Sequence, residues 1–94
     1  MAKNQNTHPN ELLLYRRRMR LARKHVAQLI GHEDTSMLSR YETGRSLPPL
    51  LTALRLEILY RTPVAYLYYR SYVALRQQIR TQEESSVHRQ PTLF

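Results

Sequence analysis

Between Leu21 and Arg45 the chain reads LARKHVAQLIGHEDTSMLSRYETGR, two short helical patterns broken once, at Gly31. In the first, Arg23 to Ile30, the apolar residues Val26, Ala27 and Ile30 share one helix face, and Arg23, Lys24 and Gln28 take the others. Gly31 admits the positive φ that ends a helix at low cost. His32, Glu33 and Asp34 then form a polar turn, and the Asp34 carboxylate is placed to accept from the free amides of a second helix. That helix runs to about Glu42, with Leu38 and Tyr41 inward and Thr35, Ser36, Ser39 and Arg40 outward. Thr43-Gly44 closes it.

Two helices joined by a short glycine-bearing turn, the second with a polar and basic outer face, have the layout of a helix-turn-helix. The residues Leu21, Val26-Ala27, Ile30-Gly31, Ser39-Arg40-Tyr41-Glu42, Gly44 and Pro48 resemble the Cro-repressor-like (Xre-type) DNA-binding family, and the likeness spans roughly residues 11–70. The resemblance implies an all-α fold: a five-helix Cro/repressor-like helix-turn-helix domain, here with an extended C-terminal helix. It also implies that Arg16, which falls on the inward stripe of a first helix with Leu12, Tyr15 and Met19, pairs with Glu42, the alternative being that its guanidinium snorkels out to water. An arginine buried there without a partner is costly. By the same resemblance, Thr35 and Ser36 occupy positions from which base edges are reached.

Three positions depart from the family pattern. Ala22 stands where Ser or Thr commonly caps the second helix, the turn at His32–Asp34 is one residue longer than usual, and Arg61 sits where glycine is frequent.

The charge points the same way. The chain of 94 residues carries a formal net charge of +8 and a pI near 10.5, which on a small domain points to a polyanionic partner. Nine bases and four acids fall in residues 1–45, so the surplus lies with the helix-turn-helix pattern. The candidate DNA-contacting residues are Arg23, Lys24, Thr35, Ser36, Met37, Ser39, Arg40 and Arg45. Arg40 has the reach to grip a guanine with both guanidinium edges, and Met37 suits a thymine methyl. Arg23, Lys24 and Arg45 suit phosphates.

Catalysis and metal binding find no support. There is no cysteine, no H-x-x-x-H or H-E-x-x-H spacing and no glycine-rich phosphate loop. No catalytic residue, metal site or cofactor is expected, and the chain is read as not an enzyme. No run of 18 apolar residues occurs, so no membrane span is expected. Residues 1–10 lack the apolar stretch of a signal peptide. The expected location is the cytoplasm, and the nucleoid when DNA is bound.

Along the chain, residues 1–9 read as a flexible N-terminal arm, 10–81 as the DNA-binding domain and 82–94 as a disordered tail. Asn10 is expected to cap the first helix. A fourth helix, from Pro49 to Tyr60, shows two apolar stripes: Leu50, Ala53 and Tyr60 with Leu56, and Leu51, Leu54 and Ile58. One can face the core and the other calls for a partner. Thr62 is expected to cap a fifth helix opened by Pro63 and running to about Arg80, ~27 Å long. Five of the seven tyrosines lie in residues 60–72, at helical spacings that suit packing.

Two functions follow. The first is a sequence-specific regulator of double-stranded DNA, a repressor that homodimerises through helices 4–5 and reads a pseudo-palindromic operator. The alternative is an antitoxin-like or adaptor protein whose main role is to hold another protein.

Overall fold

Asn10 sets the start of the fold. Its side-chain oxygen accepts from the Leu12 amide at 3.0 Å, and its side-chain nitrogen donates to the carbonyls of His8 and Tyr41, both at 2.9 Å. One residue thereby caps the first helix and ties it to the end of the third. The protein, described for residues 8–89 by a computed structural model, is all-α, with six helices and no strand among the described residues. The helices are α1 Leu12–Arg18, α2 Arg23–Leu29, α3 Ser36–Glu42, α4 Leu50–Tyr60, α5 Val64–Leu67 and α6 Tyr69–Arg89.

The core forms where the inward stripes meet. Leu12, Val26, Ala27, Ile30, Leu38, Tyr41, Leu56, Tyr60, Leu67 and Tyr68 are its buried apolar members, with Tyr15, Met19, Leu21, Leu59 and Val64 packed against it. Each fully buried Leu, Ile or Val contributes roughly 1.5–3 kcal/mol relative to exposure. Every helix from α1 to α5 supplies at least one such anchor. None of these helices exceeds 11 residues, so tertiary packing rather than intrinsic propensity holds them.

Four of the five connections between the helices carry a left-handed residue. Gly31 has φ 90° and ends α2, where the His32 amide donates back to Ala27 at 2.8 Å. Arg20 (φ 58°) and Arg61 (φ 52°) adopt the same region with a Cβ present, which is strained for an L-residue. At Arg61 the backbone thus takes a conformation that glycine adopts at no steric cost.

Several expectations are corrected. In α4 the inward line is Thr52, Leu56 and Tyr60, while Leu50 is 72% exposed rather than buried. Thr62 does not cap the next helix. Its hydroxyl donates to the Tyr60 carbonyl, and the Glu57 carboxylate accepts from the Val64 amide at 3.0 Å instead. The fifth helix is not continuous. It breaks at Tyr68 (φ −118°, ψ 47°), the residue that enters the core as α6 leaves it.

Helix then continues through residues 82–89, assigned above to a disordered tail. Gln82, Glu83 and Glu84 are good helix formers, and Arg80 pairs with Glu83 at 3.3 Å one turn on. Residues 90–94 of that tail, and residues 1–7 of the expected arm, lie outside the described residues. His8 is tied down by its amide, which donates to the Gly44 carbonyl at 3.1 Å.

Candidate nucleic-acid interface

Helix α3 is held from two directions. Its inner side chains, Leu38 and Tyr41, are buried. Its last residue, Glu42, takes a two-pronged grip from Arg16, with Nε–H to Oε2 at 2.6 Å and Nη2–H to Oε1 at 3.2 Å. Arg16 also donates to the Leu21 carbonyl at 3.1 Å. The Glu42 side chain is 3% exposed and that of Arg16 11%. Fork-on-fork geometry of this kind is the strong form of an ion pair. Glu42's hydrogen bond holds the Arg16 guanidinium above its ordinary pKa. The pair therefore joins α1 to α3 and fixes the direction in which α3 points.

The start of α3 is also fixed. Asp34 accepts from the Ser36 amide at 2.9 Å, as its place before the helix suggested. Hydrogen bonds from the Ser36 backbone and side chain hold the Asp34 carboxyl below the usual range.

What remains outward is short or basic. Ser36, Met37 and Arg40 are exposed, and Thr35 and Ser39 are half-buried. Arg40 Nε donates to Ser46 Oγ at 3.1 Å, which draws its guanidinium toward the segment after α3. The Thr43 hydroxyl turns back to the carbonyls of Ser39 and Arg40. Ser39, Arg40, Thr43 and Arg45 line an open depression of about 240 Å³. Two guanidiniums beside hydroxyls in such a hollow suit an anionic, hydrogen-bond-accepting surface.

At the start of α2, Ala22 is extended (φ −71°, ψ 147°) and makes no side-chain cap. Lys24 is exposed. Arg23 is not independent, for its Nε lies 3.5 Å from Glu42 Oε1 while its side chain stays 46% exposed. Arg23 thus shares the carboxylate that Arg16 holds, and α2, α1 and α3 meet at one acid.

The structure brings Ser39, Arg40 and Arg45 together, while Arg23 is held against Glu42 at the end of α3. Lys24 is exposed, and Thr35 is partly withdrawn. Sequence reading missed Ser46 and Thr43 as the residues that shape the Arg40 site, and it missed the Arg23–Glu42 contact. Ser46 carried no signal, since a serine six residues from an arginine has no periodic relation to it.

Among the described residues, no group of three or more His, Asp or Glu is arranged to hold a metal ion, and no helix is long and apolar enough to cross a membrane. Compared with protein-family models, curated proteins and solved structures, the chain finds no match in any of the three.

Proposed function

We propose that the chain is a sequence-specific double-stranded-DNA-binding regulator of the Cro-repressor-like (Xre-type) kind, with α2 and α3 as its helix-turn-helix. One observation carries this reading. Helix α3 is clamped by its buried face and by the Arg16–Glu42 pair, yet its opposite face offers small side chains and one long guanidinium to the outside. An α-helix fits the major groove of B-DNA. Ser36 lets the backbone approach closely, Met37 meets a thymine methyl, and Arg40 reaches guanine O6 and N7. Lys24 and Arg45 are assigned to phosphates, and Arg23 adds its charge at the start of α2.

Two copies joined through α6 and the groove beside it, with the Leu51–Ile58 face of α4 left outside the contact, would set their α3 helices one DNA turn apart, about 34–36 Å. Support for this comes from the Tyr72, Leu75 and Ile79 stripe on α6, exposed at 44%, 55% and 52%. Beside it lies an apolar groove of about 460 Å³ between Leu47, Ala53, Val64, Tyr68 and Leu75. The output is repression by occupying a promoter, in the cytoplasm, without catalysis or cofactor.

Selecting bound duplexes from a random pool, followed by fluorescence polarisation at physiological salt, tests the reading. The expected result is enrichment of a pseudo-palindrome bound far more tightly than random duplex. Arg40→Ala is expected to cost about 1–3 kcal/mol and relax preference at one or two base pairs, while Arg45→Ala weakens all sequences and lowers the salt slope by about one. Equal binding of selected and random duplexes rejects the proposal.

A further inference from the structure

The outer face of α4 is the least explained surface of the molecule. Leu50, Leu51, Leu54 and Ile58 are 72%, 64%, 40% and 75% exposed. The other exposed residues of α4 and the turn after it are Arg55 and Arg61. Helix α4 itself carries no exposed carboxylate. Glu57 is half-buried and already accepts from the Val64 amide. Among the described residues neither arginine makes an ion pair.

At Ile58 the face borders a shallow hollow. Leu29, Arg55, Ile58 and Leu59 line a mostly apolar groove of about 210 Å³ between α2 and α4. The Arg55 guanidinium lies over Gly31, 3.8 Å from where a Cβ would sit.

We infer that this face binds an acidic amphipathic helix of a different protein. Its aliphatic side chains would fill the groove at Leu29 and Ile58, and its carboxylates would meet Arg55 and Arg61. Charge selects this occupant. A second copy of a chain of net charge +8 would set arginine against arginine here, whereas the α6 stripe is flanked by both Arg80 and Glu83 and tolerates self-pairing. A membrane needs no groove, and here an exposed arginine, Arg55, is one of the groove's four lining residues. Desolvated groups of opposite charge then set partner choice, with the apolar contacts supplying affinity. The inference does not depend on DNA binding.

The full chain, methyl-labelled at Leu and Ile, is titrated with two synthetic helical peptides that share one Leu/Ile stripe. One stripe is flanked by Glu, the other by Lys. Expected are micromolar binding of the Glu peptide, at least tenfold weaker binding of the Lys peptide, and shifts at Leu51, Leu54 and Ile58. Ile58→Glu and Leu54→Gln should each weaken binding tenfold or more, and Arg55→Glu should reverse the peptide preference. Both aliphatics are exposed, so circular dichroism should be unchanged.

Four outcomes overturn the inference. They are no binding up to about 1 mM, equal binding of both peptides, shifts confined to Leu75 and Ile79, and loss of self-association or of anionic-vesicle binding on Ile58→Glu. DNA affinity, measured in parallel, is expected to stay within twofold in every α4 variant, so failure here and failure of the DNA reading are separable.

Discussion

Helices α3 and α4 follow one another in the chain and turn opposite kinds of surface to solvent. Outward from α3 stand Ser36, Met37 and Arg40, and outward from α4 stand Leu50, Leu51, Leu54 and Ile58. The ways they are held differ too. A charged pair, Arg16–Glu42, fixes α3 to α1, while α4 is fixed by Leu56 and Tyr60 and by tyrosine packing, with Tyr60 6.4 Å from Tyr15 between ring centroids. A helix face that keeps its polar groups in water can give them to a polyanion, whereas one that leaves leucines in water gains free energy from whatever covers them. The same small domain thus carries two exposed faces of different chemistry.

The largest expected effect breaks the first half. Glu42→Ala leaves Arg16 buried without its carboxylate, a loss of about 3–5 kcal/mol, so Tm should fall by more than about 10 °C in a domain of this size. Replacing both partners, with Met at 16 and Leu at 42, should restore most of the loss. A Glu42→Ala protein that melts like the parent removes the ion pair from the account of α3.

The second half should break at high pH. Burial pushes the Tyr60 and Tyr68 hydroxyls up to about 12, and both oxygens are buried without a hydrogen-bond partner. Below about pH 10 both are protonated in the folded and the unfolded chain, and the contribution is complete. Between about pH 10 and 12 the unfolded chain ionises first, so stability falls by about 2–3 kcal/mol per tyrosine. Denaturant titrations across that range, with tyrosinate absorbance followed alongside, check this. Tyr60→Phe and Tyr68→Phe should each reduce the alkaline loss, with little effect at pH 7 because no hydrogen bond is given up.

Two smaller changes sharpen the comparison by strengthening each half. Ala22 already has the extended backbone of a capping residue, so Ala22→Ser should stabilise α2 by about 1 kcal/mol, read as a rise in Tm. Arg61→Gly relieves a left-handed residue between α4 and α5 and should gain up to about 1 kcal/mol, the strain relief being partly offset by glycine's extra chain entropy. A fall in Tm for Arg61→Gly would show that the Arg61 side chain holds contacts worth more than the strain.

Local pattern made much of α2 and α3 legible. Leu38 and Tyr41 inward, Gly31 at the break and Asp34 at the helix start all follow from spacing and capping chemistry within a dozen residues. The Arg16–Glu42 pair spans 26 positions, and it was accessible only through the family resemblance. The contacts that lacked even that aid were missed: Arg23 to Glu42, Arg40 to Ser46, and Glu57 to the Val64 amide. In α4 the inward line was hidden because Thr52, a polar residue, begins it, while Leu50 looked inward by type. The break at Tyr68 was invisible because the spacing of Val64, Tyr68 and Tyr72 reads as one uninterrupted helix. Only the competition of the core for the Tyr68 ring decides otherwise.

The most direct test of the central claim, that α3 rather than α4 faces DNA, is site-specific photo-crosslinking to a selected duplex. A photoreactive residue is placed at Met37 in one protein and at Leu54 in another, both exposed. The expected result is a covalent adduct to a major-groove base from position 37 and none from position 54. Adducts from position 54, or equal yields from both, would contradict it.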